Sequence, residues 1–258
     1  MTMRRVLNNG CVARLLALVI VLGIALGVTA LVEHLNSPSQ PPPLTIGPGP
    51  ANPTGHVDVP QSADSDGYAD PEDWPNACDF LTDQDLHAIF PQLTGSIQRK
   101  PGNVNVNVWD MSGQTAGEDF DVPDGNCEIT FHLPTSDADS DYPDEGESKI
   151  SVGVEAVGDP DTLRQNVESD PDKSDPVQQG CAYRSGYAEY LCGHIQVGVD
   201  IDYLDVSDRS QDDKVIDRFQ VGGKISSFSP DSQAEHDFEG AHVTPEVVRA
   251  MLAKLPAP

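Results

Sequence analysis

The chain has 258 residues, enough for one domain of ordinary size with extensions. Hydrophobic residues make up 38%, and 42 Asp and Glu stand against 15 Lys and Arg, a formal net charge of −27. A surface of that sign repels nucleic-acid phosphates and anionic lipid headgroups, so no nucleic-acid partner is expected. The acidic runs read first as solvated faces.

Residues 1–14 carry Arg4, Arg5 and Arg14 and are expected in the cytoplasm. Residues 15–35, "LLALVIVLGIALGVTALVEHL", hold no charge before Glu33. The uncharged part is about 18 residues, or roughly 27 Å of helix, enough to cross a hydrocarbon core. A cleaved signal peptide would have a shorter apolar run and a small-x-small site, which Val28 and Ala30 supply poorly. The expectation is an uncleaved signal-anchor: a single-pass plasma-membrane protein with its C-terminal part outside. Cys11 precedes the apolar run and no Cys follows it closely, so the lipoprotein pattern is missing. With so short a segment ahead of the span, no cytoplasmic kinase is expected, and any signalling would run through a separate partner.

Residues 36–76 include "SPSQPPPLTIGPGPANPTG" and "QSADSDGYADPEDW", rich in Pro, Gly and acid. Such a composition predicts a disordered, extended linker. The folded domain is then expected over residues 77–258.

In "NACDFLTDQDLHAIF" Thr82 is a good N-cap, with Asp83 and Asp85 in the first turn. Leu86, Ile89, Phe90 and Leu93 give one apolar face, and Pro91 limits the helix. "NVNVNVW", beginning at Asn103, alternates as a half-buried strand does. "CEITFHL" from Cys127 and "KISVGVEAV" from Lys149 read likewise, the second with Ile150, Val152, Val154 and Ala156 on one side. "DTLRQNVES" from Asp161 is a short helix candidate. "EYLCGHIQVGVDIDYL" from Glu189 suits one bent strand or two, with bulges at Gly193 or Gly198. "DDKVIDRF" from Asp212 reads as a turn of helix. "TPEVVRAMLAKL" closes the chain as a helix capped by Thr244, with Pro245 at its first position and Val247, Val248, Met251, Leu252 and Leu255 as an apolar stripe. "GQTAGEDFDVPDG" and "TSDADSDYPDEGES" read as long polar loops. There is no steady βαβ alternation, which predicts an α+β fold: an antiparallel sheet with helices packed on one face.

Four cysteines follow the apolar run: Cys78, Cys127, Cys181 and Cys192. An even number outside the membrane favours disulfides. Three connectivities are open, and proximity favours Cys78–Cys127 and Cys181–Cys192. No CxxC indicates a redox or zinc site. Cys192 with His194 lacks a third orienting group for nucleophilic catalysis.

Other constellations are weaker. Asp137, Asp139 and Asp141 match the first ligands of a calcium loop, but Tyr142 stands where Gly is needed and Ser148 where a bidentate Glu is needed. His132 and His194 sit in predicted strands and could meet across a sheet near Asp200 or Asp202, the bland alternative being satisfied, partly buried histidines. Tyr183, Tyr187 and Tyr190 lie between the last two cysteines and are candidate contacts for a partner, or a lid over the sheet. No GxSxG, SxxK, P-loop, GxGxxG or HExxH occurs, and no cofactor is expected.

"ACDFLTDQDL", a strand Cys in "NCEITF", "KISVGVEAV", a later Cys pair and a closing "TPEVVRAMLAKLP" together resemble a family of actinobacterial envelope domains. These occur as small mycobacterial-type lipoproteins and are akin to the extracellular sensor domains of mycobacterial receptor kinases. The resemblance implies an α+β fold with two disulfides, no established enzymatic activity, and binding of a ligand or protein partner outside the cell. It implies that Cys78, Cys127, Cys181 and Cys192 are the disulfide positions. The chain departs from the family in lacking a lipid-accepting Cys and in having "EIT" after Cys127, where an aromatic is usual two places on. The leading expectation is a membrane-anchored, non-enzymatic binding or sensor-like domain with an unknown protein or small-molecule ligand. The alternatives are an extracytoplasmic hydrolase or metal-dependent enzyme without a recognisable motif, and a structural component of a cell-wall or secretion assembly.

Overall fold

The computed structural model describes residues 42–50, 55–65, 67–107, 119–134, 147–168, 173–174, 181–184, 189–211 and 214–256. The apolar run expected to span a membrane lies outside them, and among the described residues no helix is long and apolar enough to cross one.

The first correction concerns the linker. Its described parts are docked, and all the described residues belong to one unit. Strand β1 (Leu44–Thr45) runs parallel to β10 (Lys214–Val221), with Leu44 opposite Phe219. Ile46 N–H then donates to Gln220 O at 3.0 Å, Gly47 N–H to Ile89 O at 2.8 Å and Val57 N–H to Lys254 O at 3.0 Å. Gln92 clamps the strap from both sides: its Oε1 accepts from Thr45 N–H at 2.6 Å and its Nε2 donates to Pro43 O at 2.8 Å. Leu44, Ile46, Val57, Val59, Tyr68 and Trp74 are buried. The prolines hold this stretch extended, which suits a strap as well as a tether. Its few apolar side chains suffice because a groove receives them. Gly47 is required there, since a Cβ would lie 2.2 Å from Ala88 O.

Next come two short 3-10 turns, Pro71–Asp73 and Ala77–Phe80, and helix α1 (Asp83–Ile89). Thr82 caps α1 as expected, in a reciprocal box with Asp85: Thr82 N–H donates to Asp85 Oδ2 at 2.8 Å, and Asp85 N–H donates to Thr82 Oγ1 at 3.3 Å.

The main sheet is antiparallel throughout. Its strands are β2 (Thr94–Asn107), β3 (Asp119–His132), β4 (Glu147–Val157), β5 (Lys173–Ser174), β6 (Cys181–Arg184), β7 (Glu189–Cys192) and β8 (Ile195–Tyr203), in spatial order β2-β3-β4-β8-β7-β6-β5. Alternation decides the buried face. Ser148, Ile150, Val152, Val154 and Ala156 of β4 are buried, while Lys149, Ser151 and Gly153 are half-buried and Glu155 is exposed. The turn Ala77–Phe80 lies against β3 and β4. Gly193, at φ +59°, makes a tight turn, so 189–203 is two strands rather than one bent strand. Residues 119–125, expected in a loop, belong to β3. Edge strand β2 carries Arg99, Lys100 and Pro101, which discourage pairing with another chain.

Helix α2 (Pro160–Glu168) matches the expected short helix. A second sheet contains β1, β9 (Ser207–Gln211), β10 and β11 (Lys224–Phe228). Strands β10 and β11 are joined by Gly222 and Gly223, both with positive φ, as the tightest hairpins demand. The stretch expected as a turn of helix at 212–219 is therefore strand from Lys214 onward. Helices α3 (Gln233–His242) and α4 (Thr244–Leu252) complete the chain. Thr244 does not cap α4. Val243 precedes it in helical conformation and no side chain bonds the first turn, because α3 runs almost directly into α4.

Both expected disulfides are present. Cys78–Cys127 ties the turn before α1 to β3, and Cys181–Cys192 joins directly opposed residues of β6 and β7. A further tie is ionic. Lys254, 1% exposed, pairs with the wholly buried Asp85 and donates to Phe80 O at 2.6 Å. It holds the turn after α4 to α1.

Candidate functional site: an acidic cleft

Strand β10 and helix α3 both break the pattern that would have revealed them, and for the same reason. On β10 the inward positions are Asp217, Phe219 and Val221, the first of them an acid. On α3 the buried residues are Glu235 and Glu239, one turn apart on one face. Phe219, Phe228 and Phe238 seat α3 on the second sheet, with ring centroids 5.1 to 6.1 Å apart. All three carboxyls face one cavity.

A cavity of about 390 Å³ opens there, between the end of β8 and α3. Asp202, Tyr203 and Asp205 line it from the β8 side, Asp217 from β10, and Asp231, Glu235, His236 and Glu239 from α3 and its approach. No Lys or Arg lines it among the described residues. The Lys149 ammonium lies 3.8 Å from Asp202 but is held at 2.7 Å by Glu128. Asp202 Oδ2 also accepts from Ser151 Oγ at 2.7 Å.

Asp217, Glu235 and Glu239 are respectively 3, 4 and 6% exposed. Burial pushes the Glu235 carboxyl up to about 8, helped by a side-chain hydrogen bond to Asp217 and by the charges of Asp217 and Glu239. Two carboxyls bonded to each other need a proton between them. Burial raises Glu239 to about 7; His236, whose Nδ1 lies 3.6 Å from Glu239 Oε2, opposes the rise, while Asp217 and Asp231 add to it. Asp217 Oδ1 and Glu235 Oε2 are both shut off from solvent. Near neutral pH the Glu235 carboxyl therefore keeps its proton, and Glu239 is poised to gain or lose one. Such a site can accept hydrogen bonds, exchange protons and attract cations. Among the described residues no group of three His, Cys, Asp or Glu is placed to hold a metal ion.

The residues singled out in the sequence lie elsewhere. Tyr190 is 3% exposed and packs in the core, so it is no surface contact. Tyr183 stands opposite Tyr190 in the β6–β7 pair, and Tyr187 lies outside the described residues. Asp137, Asp139 and Asp141 also lie outside them. His132 pairs with Glu147 at one end of β4, whereas His194 lies at the other end, where Gly158 N–H donates to His194 O at 2.9 Å. The two ends are separated by about 30 Å of strand, so the histidines do not meet. Cys192 is in a disulfide and is no nucleophile.

No protein-family model, no curated protein and no solved structure matches the chain.

Proposed function

We propose that this protein is a membrane-anchored, non-enzymatic binding or sensor-like domain of the actinobacterial cell envelope, held outside the cell, and that the acidic cleft is its binding site. The observation that carries the reading is the preformed cavity with Asp217, Glu235 and Glu239 buried in its wall. Burying three carboxyls together costs folding energy, and perturbed acids in a cleft are candidates for a functional site. The two disulfides favour an oxidising compartment, and the apolar run at 15–35 supplies the anchor. The resemblance to envelope and sensor domains points the same way.

A second reading has one observation in its favour. A carboxyl protonated near neutrality, such as Glu239, is suited to general acid catalysis, which would make the cleft a hydrolase site. No serine or cysteine is among the described residues that line the cavity.

The placement is tested by labelling intact cells with a membrane-impermeant amine reagent. Lys224 is exposed on β11 and is expected to react without lysis. Cys78, Cys127, Cys181 and Cys192 are expected to resist alkylation until reduced. Labelling of Lys224 only after lysis, or free thiols at Cys78 and Cys127, would overturn the extracytoplasmic reading.

A further inference from the structure

We propose that helix α3 is a proton-operated latch: a proton shared between Asp217 of β10 and Glu235 of α3 holds the helix on the second sheet, and loss of that proton as the pH rises lets the helix swing out and open the cleft. This rests on the reading of the cleft as the working site of a sensor-like domain and names pH as the quantity it responds to.

The bond lies across an interface whose two sides are held differently. Asp217 is fixed: on β10 it stands between Ser207 of β9 and Phe228 of β11, with a ladder on each side. Helix α3 has no ladder. It is seated by Phe238 against Phe219 and Phe228, at centroid distances of 5.2 and 5.1 Å, and by the hydrogen bond between Glu235 and Asp217. Asp217 and Glu235 are 3 and 4% exposed, and one oxygen of each is shut off from solvent. With one proton between them the carboxyls form a charge-assisted hydrogen bond, one of the stronger kinds. Without it, two like charges face each other with part of each out of reach of water, where repulsion is strong. Hydration relieves the repulsion once one carboxyl withdraws, and the helix is the side that can. Its two ends suit that movement. Before α3, Ser232 N–H donates to Ser229 O at 3.2 Å across a turn in which Asp231 has φ +54°. A non-glycine residue there is strained, and such strain collects at segments that switch. After α3, the wholly buried Val243 leads straight into α4 and is the fixed point.

The surroundings favour the proton. Asp231, His236 and Glu239 face the pair from α3 and its approach, and Asp202, Tyr203 and Asp205 from the β8 side, with Lys149 beyond Asp202. Ser207 and Phe228, opposite Asp217, bring no charge. Strand β11 carries Lys224 at its far end, and α4 carries Glu246 and Arg249, bonded to each other. Of the described residues lining the cavity, His236 alone can turn cationic, and it stands beside Glu239. The Glu235 carboxyl titrates at about 8 with the helix seated, and its ordinary value is 4.5. Between those values the closed state holds a proton that the open state releases. Opening is therefore rarest in acid, grows by at most about 10-fold per pH unit as the pH rises toward 8, and levels off above it. Glu239, raised to about 7, adds to the effect over a narrower range.

The test is hydrogen exchange of the full chain, in a non-ionic detergent with both disulfides oxidised. Exchange is read by mass spectrometry at pH 5.5 and pH 8 and corrected for its intrinsic dependence on pH. From the lower pH to the higher, the amides of α3 are expected to lose on the order of 10–100-fold of their protection, while those of β4 keep theirs. Glu235→Gln, which cannot ionise, is expected to remove most of that loss. Asp217→Asn is expected to reduce it, and Glu239→Gln to leave most of it in place. The proposal is overturned by equal protection of α3 at both pH values, by a loss of the same size in β4, or by a loss that follows Glu239 and persists in full in Glu235→Gln and Asp217→Asn. Should Glu235→Gln fail to fold, the parent and Asp217→Asn decide the matter by the same criteria. A helix α3 indifferent to pH, with Lys224 labelled on intact cells, would remove the latch and leave the extracytoplasmic domain standing. A pH-dependent α3 with Lys224 shielded until lysis would do the reverse.

Discussion

Replacing Glu235 by Gln removes one carboxyl from the cleft while keeping its shape and an N–H donor for Asp217. The carboxyl titrates near 4.5 when unperturbed and at about 8 in the fold. A carboxyl raised in this way contributes stability that is complete below the unfolded value and is lost as pH rises through the folded value. Between the two, the folded state binds a proton that the unfolded state has released, so stability falls by at most about 1.4 kcal/mol per pH unit. Carried from pH 4.5 to 7 this is about 3 kcal/mol at most. The cavity is open to water, which reduces it to on the order of 1–3 kcal/mol. Gln has no such dependence. Urea unfolding at pH 5 and at pH 7.5 is the assay. Parent and variant should nearly match at pH 5, and the variant should be more stable by about 1–3 kcal/mol at pH 7.5. The repulsion among the chain's acids outside the cleft is common to both proteins and cancels in the difference. Equal slopes in the two proteins, or an equal loss for the variant at both pH values, would refute the shared-proton account of the floor.

Lys254→Met strips the buried Asp85 of its counter-charge and Phe80 O of its donor, and should cost about 3–5 kcal/mol in urea unfolding. Asp85→Asn should cost less, and the double variant should recover part of the loss; simple additivity of the two would contradict the ion pair. Gly47→Ala forces a Cβ against Ala88 O and should cost about 1–3 kcal/mol, with faster proteolysis in residues 55–65. A neutral result there would mean that the strap does not hold its place.

Where polar and apolar residues alternate regularly, the sequence is legible. Thr82, the apolar positions of β4 and the stripe on α4 behave as their spacing says, and the even cysteine count anticipates both pairs. The strap was hidden because Pro and Gly dominate its composition, although Leu44, Ile46, Val57 and Val59 supply its anchors. Composition reports average solvation and says little about four side chains that find a groove. The cleft was hidden for a sharper reason. Asp217, Glu235 and Glu239 occupy positions where a periodicity argument needs apolar residues, so β10 and α3 lost their signal at the residues that build the site. The i,i+4 spacing of Glu235 and Glu239, beside Phe238, was the one trace in the sequence. The tyrosines and histidines drew notice as residue types with chemistry. Tyr190 proved to be core, and His132 and His194 stand at opposite ends of a strand.

The most direct test of the cleft's perturbed acids is a carboxyl carbon-13 NMR titration of the full chain. The account predicts that Glu235 titrates near 8 and Glu239 near 7. Ordinary carboxylate titration at both residues would contradict it.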